Sequence, residues 1–267
     1  MSDDRAEIAI LASSATLGGV AVIGRSGETD ALVLVGPYDP CGECDVCRRG
    51  GAAVCPTRAS RDGAGTHVRA ASRYVVPIEG GLEIPVPAGA VVAGDVTLAY
   101  TLYARTGPAP RDPVVLVGAS PVARFLVEIL RAKGITPIVV TEPAPWCDWL
   151  RAKGAVVAHD AEAVISAITA QGSTARAPRV IAVASDAATI ERAAALTGPR
   201  STLTVLAPIA SLPGVLADRE VTVIPVAGPH PDLVVEAAAM CTKGEVDLVG
   251  NTSLVADAEH RALIRPR

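Results

Sequence analysis

Four of the chain's six cysteines fall between positions 41 and 55. The stretch reads Cys41-Gly42-Glu43-Cys44-Asp45-Val46-Cys47, then seven residues, then Cys55. No aliphatic run lies inside it, so a bound ion could organise it where a hydrophobic core could not. Tetrahedral zinc takes four thiolates at about 2.3 Å, and closely spaced cysteines let one short loop supply them. Four thiolates also suit an iron–sulfur cluster. Disulfides and unrelated buried thiols are the metal-free alternatives. A zinc held by Cys41, Cys44, Cys47 and Cys55 has no open position, so it is structural, one per chain.

Composition narrows the partners. Half of the 267 residues are hydrophobic and only 3% are aromatic, so the core must be built from Ala, Val, Leu and Ile. A net charge of −4 argues against a nucleic-acid partner, because phosphate binding needs a basic face. The apolar runs are too short or broken to span a bilayer. The start, Met1-Ser2-Asp3-Asp4-Arg5, lacks the basic opening of a signal peptide. The expectation is a cytoplasmic chain with no membrane partner, where clustered cysteines bind metal more often than they form disulfides.

The first part of the chain reads as β. Ile8 to Leu11, Val20 to Ile23 and Ala31 to Val35 are short apolar runs separated by Gly, Ser and Asp, which suits hairpins. Strands are also expected at His67 to Ala70 and Tyr74 to Pro77, and a turn region around Pro85, Pro87 and Gly89. A helix is expected from Asp95 to about Arg105, with Asp95 as N-cap. A Pro-rich linker, Gly107 to Asp112, ends this part.

Beyond Pro113 the texture changes to apolar strands alternating with helices, which implies βαβ units and a parallel sheet. Val114 to Val117 reads as a strand buried on both faces. Further strands are expected at Ile135 to Val140, Ala155 to Val157, Val180 to Val183, Leu203 to Leu206 and Val221 to Ile224. Helices fall between them, and one closes the series at Pro231 to Lys243. The domains expected are therefore 1–110, with the cysteine lobe at 36–60, and 111–250, followed by a tail at 251–267.

A dinucleotide fold needs a strand, a tight glycine turn and a helix whose N-terminus faces the pyrophosphate. The turn Gly118-Ala119-Ser120-Pro121-Val122-Ala123 has this context with an altered fingerprint. Gly118 fills the first glycine place and Ala123 the third, while Ser120 stands in the second. Glu142, 24 positions after Gly118, is placed to accept from the adenosine ribose hydroxyls and favours NAD over NADP.

The segment Gly36-Pro37-Tyr38-Asp39-Pro40-Cys41 through Cys47, with Cys55 after it, resembles the structural-zinc lobe of the zinc-containing medium-chain dehydrogenases, the alcohol dehydrogenase superfamily. The resemblance runs from about Leu17 to about Leu248. It implies a Rossmann-type doubly wound parallel sheet (α/β) beside a smaller, truncated GroES-like β domain carrying the structural zinc. It places Val183-Ala184-Ser185 and Leu206-Ala207-Pro208 at strand ends beside the nicotinamide. It also implies a homodimer or larger assembly through the nucleotide domains, with Val221 to Ile224 near the sheet's edge.

The same family uses a second, catalytic zinc with an open position. Two of its ligands precede the lobe there, as a Cys followed by Gly and as a Gly-His-Glu strand start. Here no Cys or His precedes Cys41, the strand Leu17 to Ala21 carries no ligand, and the segment before it is shorter. Asp95 could occupy the third ligand place. Asp95, His67 and Tyr100 are the polar candidates for catalysis in the cleft. Cys147 and Cys241 read as core residues, Trp146 and Trp149 as packing, His159 as solvated loop, His230 as a residue capping or preceding a helix, and His260 as tail. The expectation is an NAD(H)-dependent oxidoreductase without catalytic zinc, its small-molecule substrate unidentified. The alternative is a non-catalytic scaffold, sensor or partner subunit of the same fold.

Overall fold

The structure is a computed structural model that describes residues 5–17, 19–61, 65–78, 84, 86–144, 146–173, 176–206, 209, 212–248, 252–256 and 262–266. Its contacts divide the chain into two compact units, residues 1–100 with 227–267, and residues 101–226.

The first unit is built on a long hairpin, β1 (Arg5–Thr16) and β2 (Gly19–Ser26). β1 alternates buried and exposed positions over its first half, as a strand with one covered face should. β3 (Leu32–Val35) continues the meander, and β4 (Tyr38–Asp39) leads into the cysteine lobe with its short helix α1 (Asp45–Arg48). β5 (Ala59–Ser60) returns to pair with β4, β6 (His67–Ala71) pairs with β1, and β7 (Val75–Pro77) pairs with β3. Ile8, Ile10, Val22, Val33, Val35 and Val68 form the apolar centre of this sheet.

A helical run follows: α2 (Val86–Val91) and a π turn over Val92–Val96 cover the hairpin, and α3 (Thr97–Thr106) continues the run. The expected N-cap at Asp95 is corrected here. The helical run begins at Val86, and Asp95 lies inside the π turn, 4% exposed. Its glycines explain why. A Cβ on Gly89 would lie 2.3 Å from Ile23 Cδ1, and one on Gly94 would lie 3.1 Å from Thr16 Cγ2. Both glycines let the helix press directly onto the hairpin, a long-range contact that local capping signals do not carry. The expected turn region around Gly89 is therefore helix, and Pro85 lies outside the described residues.

The second unit is a six-stranded parallel sheet. In chain order its elements are β8 (Val114–Val117), α4 (Pro121–Ala132), β9 (Ile138–Val140), α5 (Trp146–Ala152), β10 (Val156–Ala158), α6 (Ala161–Ala170), β11 (Ala177–Ala182), α7 (Ala187–Leu196), β12 (Thr197–Leu206), α8 (Val215–Asp218) and β13 (Thr222–Val226). The spatial order is β10-β9-β8-β11-β12-β13. The order reverses between β8 and β11, as it does in the doubly wound dinucleotide-binding fold. Every residue of β8 is fully buried, which accounts for its unbroken aliphatic sequence. β13 is the edge strand of this sheet.

The chain then rejoins the first unit. A 3-10 turn (Pro231–Leu233) leads into α9 (Val234–Thr242), which packs on the π turn. β14 (Thr252–Ala256) and β15 (Ala262–Pro266) extend the first sheet, β15 running parallel to β1. The expected division gave residues 227–250 to the nucleotide domain and left 251–267 as a tail. The contacts assign both to the first unit, because α9 buries Val234, Ala237, Ala238 and Met240. His260 lies outside the described residues.

Candidate functional site

The cysteine lobe is assembled from turns. Gly42 and Gly50 both have φ of +79°, a backbone shape that glycine adopts without penalty. Cys44 caps α1, its Sγ accepting from the Cys47 amide at 3.4 Å. The amide of Cys44 bonds to Cys41 Sγ at 3.4 Å, and that of Cys41 to Cys55 Sγ at 3.5 Å. The four Sγ atoms all lie within 4.8 Å of one another. Cys41 Sγ is 4.0 Å from Cys47 Sγ and 3.6 Å from Cys55 Sγ. Four sulfurs at about 2.3 Å from one tetrahedral ion stand about 3.8 Å apart. A disulfide would need about 2.05 Å, and all six cysteines are free thiols. The residues therefore fit a single zinc, which would close the loop without offering substrate a coordination position. Among the described residues this is the one such ligand group.

The surroundings support thiolates unevenly. Amide hydrogen bonds from Cys44 and Glu43, helped by the Thr57 hydroxyl, bring Cys41 down to about 6. Burial raises Cys55, but the hydroxyl of Thr57 and the amide of Cys41 outweigh it and leave the thiol below its ordinary value. Burial pushes Cys47 up to about 12, although the Tyr74 hydroxyl bonds to it and acts the other way. The Arg73 guanidinium lies against Gly42, where a Cβ would come within 2.3 Å of Nη2, and it stacks 5.1 Å from the Tyr74 ring centre. From the C-terminal part of the same unit, a His230 ring nitrogen bonds to the Gly50 carbonyl oxygen. Arg73, Tyr74 and His230 are support that the sequence did not reveal. Nothing in local spacing marks them.

Of the polar candidates for catalysis, His67 stands apart from Asp95. The buried Asp95 carboxylate accepts from the Thr16 hydroxyl, and burial raises it to about 6. His67 is exposed on β6, opposite Ala9 of β1, and its Nδ1 is 2.9 Å from the Thr66 hydroxyl. Six strand residues separate Ala9 from Thr16, roughly 20 Å along β1. Tyr100 is half-buried on α3. Of the segment Leu17 to Ala21, expected as a strand, Gly19 to Ala21 open β2 and Leu17 is a turn residue, while Gly18 lies outside the described residues. At Gly19 a Cβ would fall 2.3 Å from the Pro37 carbonyl oxygen and 2.7 Å from that of Arg61, so no ligand side chain fits there in this backbone.

In the second unit the glycine turn has the expected frame. Gly118 has φ of +103°, and its amide bonds to the Val140 carbonyl at 3.0 Å. Ser120 is the N-cap of α4, its Oγ accepting from the Ala123 amide at 3.3 Å. Pro121 follows at the first helical position and has no N–H. Val122 and Ala123 are buried. One of the first-turn donors that would greet a pyrophosphate is thus missing and another is engaged by the serine. Glu142 lies two residues beyond β9, largely exposed, and pairs with Arg192 of α7 at 3.1 Å. Ser185 is exposed just past β11, while Ala207 and Pro208 lie outside the described residues.

The remaining candidates are structural. Cys147 is buried on α5 with its thiol 3.8 Å from the Glu142 carbonyl oxygen. Cys241 is only half-buried, so it is not the core residue expected. Trp149 lies between the Arg124 guanidinium at 5.6 Å and the Lys153 ammonium at 5.5 Å. His159 is exposed, its Nδ1 2.7 Å from the Thr141 carbonyl oxygen. His230 is the N-cap residue of the 3-10 turn, its carbonyl accepting from the Leu233 amide and its side chain making no cap bond.

A scan against protein-family models finds no match, and a search of curated proteins finds none either. Solved structures do match, 345 chains in all. A short chain alcohol dehydrogenase from E. coli CFT073, complexed with NADH, covers 100% of this chain and 93% of its own length, at 14% identity and TM-score 0.76. The alcohol dehydrogenase TADH from Thermus sp. ATN1 covers 95% and 86%, at 16% identity and TM-score 0.79. Galactitol-1-phosphate dehydrogenase from Escherichia coli covers 94% and 85%, at 17% identity and TM-score 0.75.

The chain has the alcohol-dehydrogenase fold.

Both parts of that fold are present: the doubly wound parallel sheet and the antiparallel sheet bearing a lobe of four cysteines. Among the described residues, no helix is long and apolar enough to cross a membrane.

Proposed function

We propose that this chain is an alcohol-dehydrogenase-like protein that holds one structural zinc at Cys41, Cys44, Cys47 and Cys55 and has no catalytic zinc. On this reading it is a cytoplasmic oxidoreductase that binds NAD(H) weakly at Gly118 to Ala123. The observation that carries it is the contrast at the two metal places. Four sulfurs converge on one point, while Asp95, the lone candidate for a second site, is bonded to Thr16 inside a helix. Zinc-alkoxide chemistry needs three ligands around an open metal position, and a lone buried carboxylate does not supply them.

Two assays test this. Metal analysis of the purified chain should find one zinc, and two would overturn the reading. NAD reduction should fail across an alcohol panel with or without added zinc, whereas zinc-dependent turnover lost in Asp95→Ala would refute it. Reduction of an enone or aldehyde without zinc would favour the oxidoreductase.

A second reading, a non-redox scaffold of the same fold, is favoured by the capping of the turn by Ser120 and Pro121. Thermal shift separates the two, since a nucleotide that binds the folded state raises Tm by mass action. We further propose a homodimer in which β13 pairs with its twofold copy, because an unpaired edge strand invites such pairing. Light scattering that shows a monomer at micromolar concentration would sink that proposal.

A further inference from the structure

The carboxylate expected to meet the adenosine ribose has a cation beside it. Arg192 Nη2 lies 3.1 Å from Glu142 Oε1, and both side chains keep access to solvent, 45% and 75% exposed. The two residues come from different βα units, β9 and α7, so their meeting is a product of the sheet order. The placement of α7 brings this pair to the glycine turn. A Cβ on Gly118 would lie 3.3 Å from Thr189 Cγ2 and 3.5 Å from Val183 Cγ2. Thr189 is fixed by Asp186, whose carboxylate accepts from the Thr189 amide at 2.8 Å and hydroxyl at 2.7 Å. Arg192 is three residues beyond Thr189 and shares its helix face. Glu142 follows Val140, whose carbonyl accepts from the Gly118 amide at 3.0 Å, so the Arg192–Glu142 pair stands at the strand end beside the turn.

We infer that Arg192 is a specificity-determining residue of the nucleotide site, one that lets it accept a ribose 2′-phosphate as well as a free 2′-hydroxyl. The inference rests on the reading of Gly118 to Ala123 as a nucleotide turn. A carboxylate alone accepts from ribose hydroxyls and repels a phosphate. With Arg192 in reach, an incoming phosphate displaces Glu142 as the partner of the guanidinium, whose planar donors suit phosphate oxygens. The unphosphorylated nucleotide leaves the ion pair in place. Asp186, six residues earlier, is held by the Thr189 amide and hydroxyl and feels the Arg192 charge without a hydrogen bond to it.

The test is calorimetry of the zinc-loaded full chain with NADH and with NADPH at low salt. Both side chains reach solvent, so the variants should fold, and matching melting curves check this. In the unmodified chain the two dissociation constants should lie within about tenfold of each other. Arg192→Ala should weaken NADPH about tenfold while moving NADH by less than about twofold. Glu142→Gln should shift the ratio about tenfold the other way, toward NADPH. An unchanged ratio in Arg192→Ala, with NADH still bound, overturns this inference alone. Binding of neither nucleotide by the unmodified chain overturns the nucleotide-turn reading and this inference with it.

Discussion

The cysteine lobe and the glycine turn are both loop sites at helix N-termini, and they differ in what they lack. The lobe is incomplete on its own. Its backbone donors point at sulfur, its four sulfurs point at one another, and two of the thiols are held below their ordinary value while Cys47 is pushed up. One cation in the middle would satisfy such an arrangement. The turn is far more complete on its own. Ser120 supplies the oxygen that an anion would otherwise supply, and Pro121 removes a donor that would otherwise need one. The lesson is that two loop sites of one fold can differ in this way, one with room for a ligand at its centre and the other capped by its own side chain.

The largest test of this contrast is removal of a ligand from the lobe. Cys44→Ser should lower Tm by about 10 °C, from a loss of about 4 kcal/mol of metal-linked stability. Hydrogen exchange should speed up across residues 41–60 and stay nearly unchanged in β8 and α4. Equal loosening of both regions would show that the lobe is not a local metal-dependent element.

Asp95 sharpens the comparison within the first unit. Its carboxyl is raised from 3.8 to about 6 by burial, opposed by Thr16. A raised carboxyl stabilises the folded state below the unfolded value and loses that contribution as pH rises through the folded one. Stability should therefore fall between about pH 4 and pH 6 and stay lowered above. Asp95→Asn should remove this slope in denaturant titrations and stabilise the protein at pH 7 by about 2 kcal/mol. A destabilised variant that also loses a second metal would mean that Asp95 is a ligand after all.

The turn can be reopened. Ser120→Gly with Pro121→Ala frees one amide and restores another, so NADH affinity should rise about tenfold in calorimetry. The lost cap should cost only a few tenths of a kcal/mol, about the difference between Ser and Gly at such a position. Affinity equal to or weaker than that of the unmodified chain would show that pyrophosphate does not sit there. The smallest effect belongs to His230→Ala, which removes the bond to Gly50 and should cost about 1 kcal/mol. Exchange at Gly50 and Gly51 should rise, and no change there would mean that the lobe does not depend on the C-terminal segment.

Sequence alone determined what is local or periodic. The cysteine spacing identified one compact ligand set, because all four thiols sit in a single loop. Alternating aliphatic runs and helices announced the parallel sheet, because a strand covered on both faces must be apolar throughout, as Val114 to Val117 is. The strand–turn–helix around Gly118 was legible for the same reason. Tertiary structure decided whatever depends on groups far apart in the chain. It placed Asp95 inside a helix that begins at Val86, because Gly89 and Gly94 allow that helix to rest on the hairpin. It returned residues 227–248 to the first unit through the packing of α9, and it set Arg192 against Glu142 and His230 against Gly50. Such pairings leave no mark in local sequence, because their energy exists only once the sheet order and the packing of helices have brought the partners within reach.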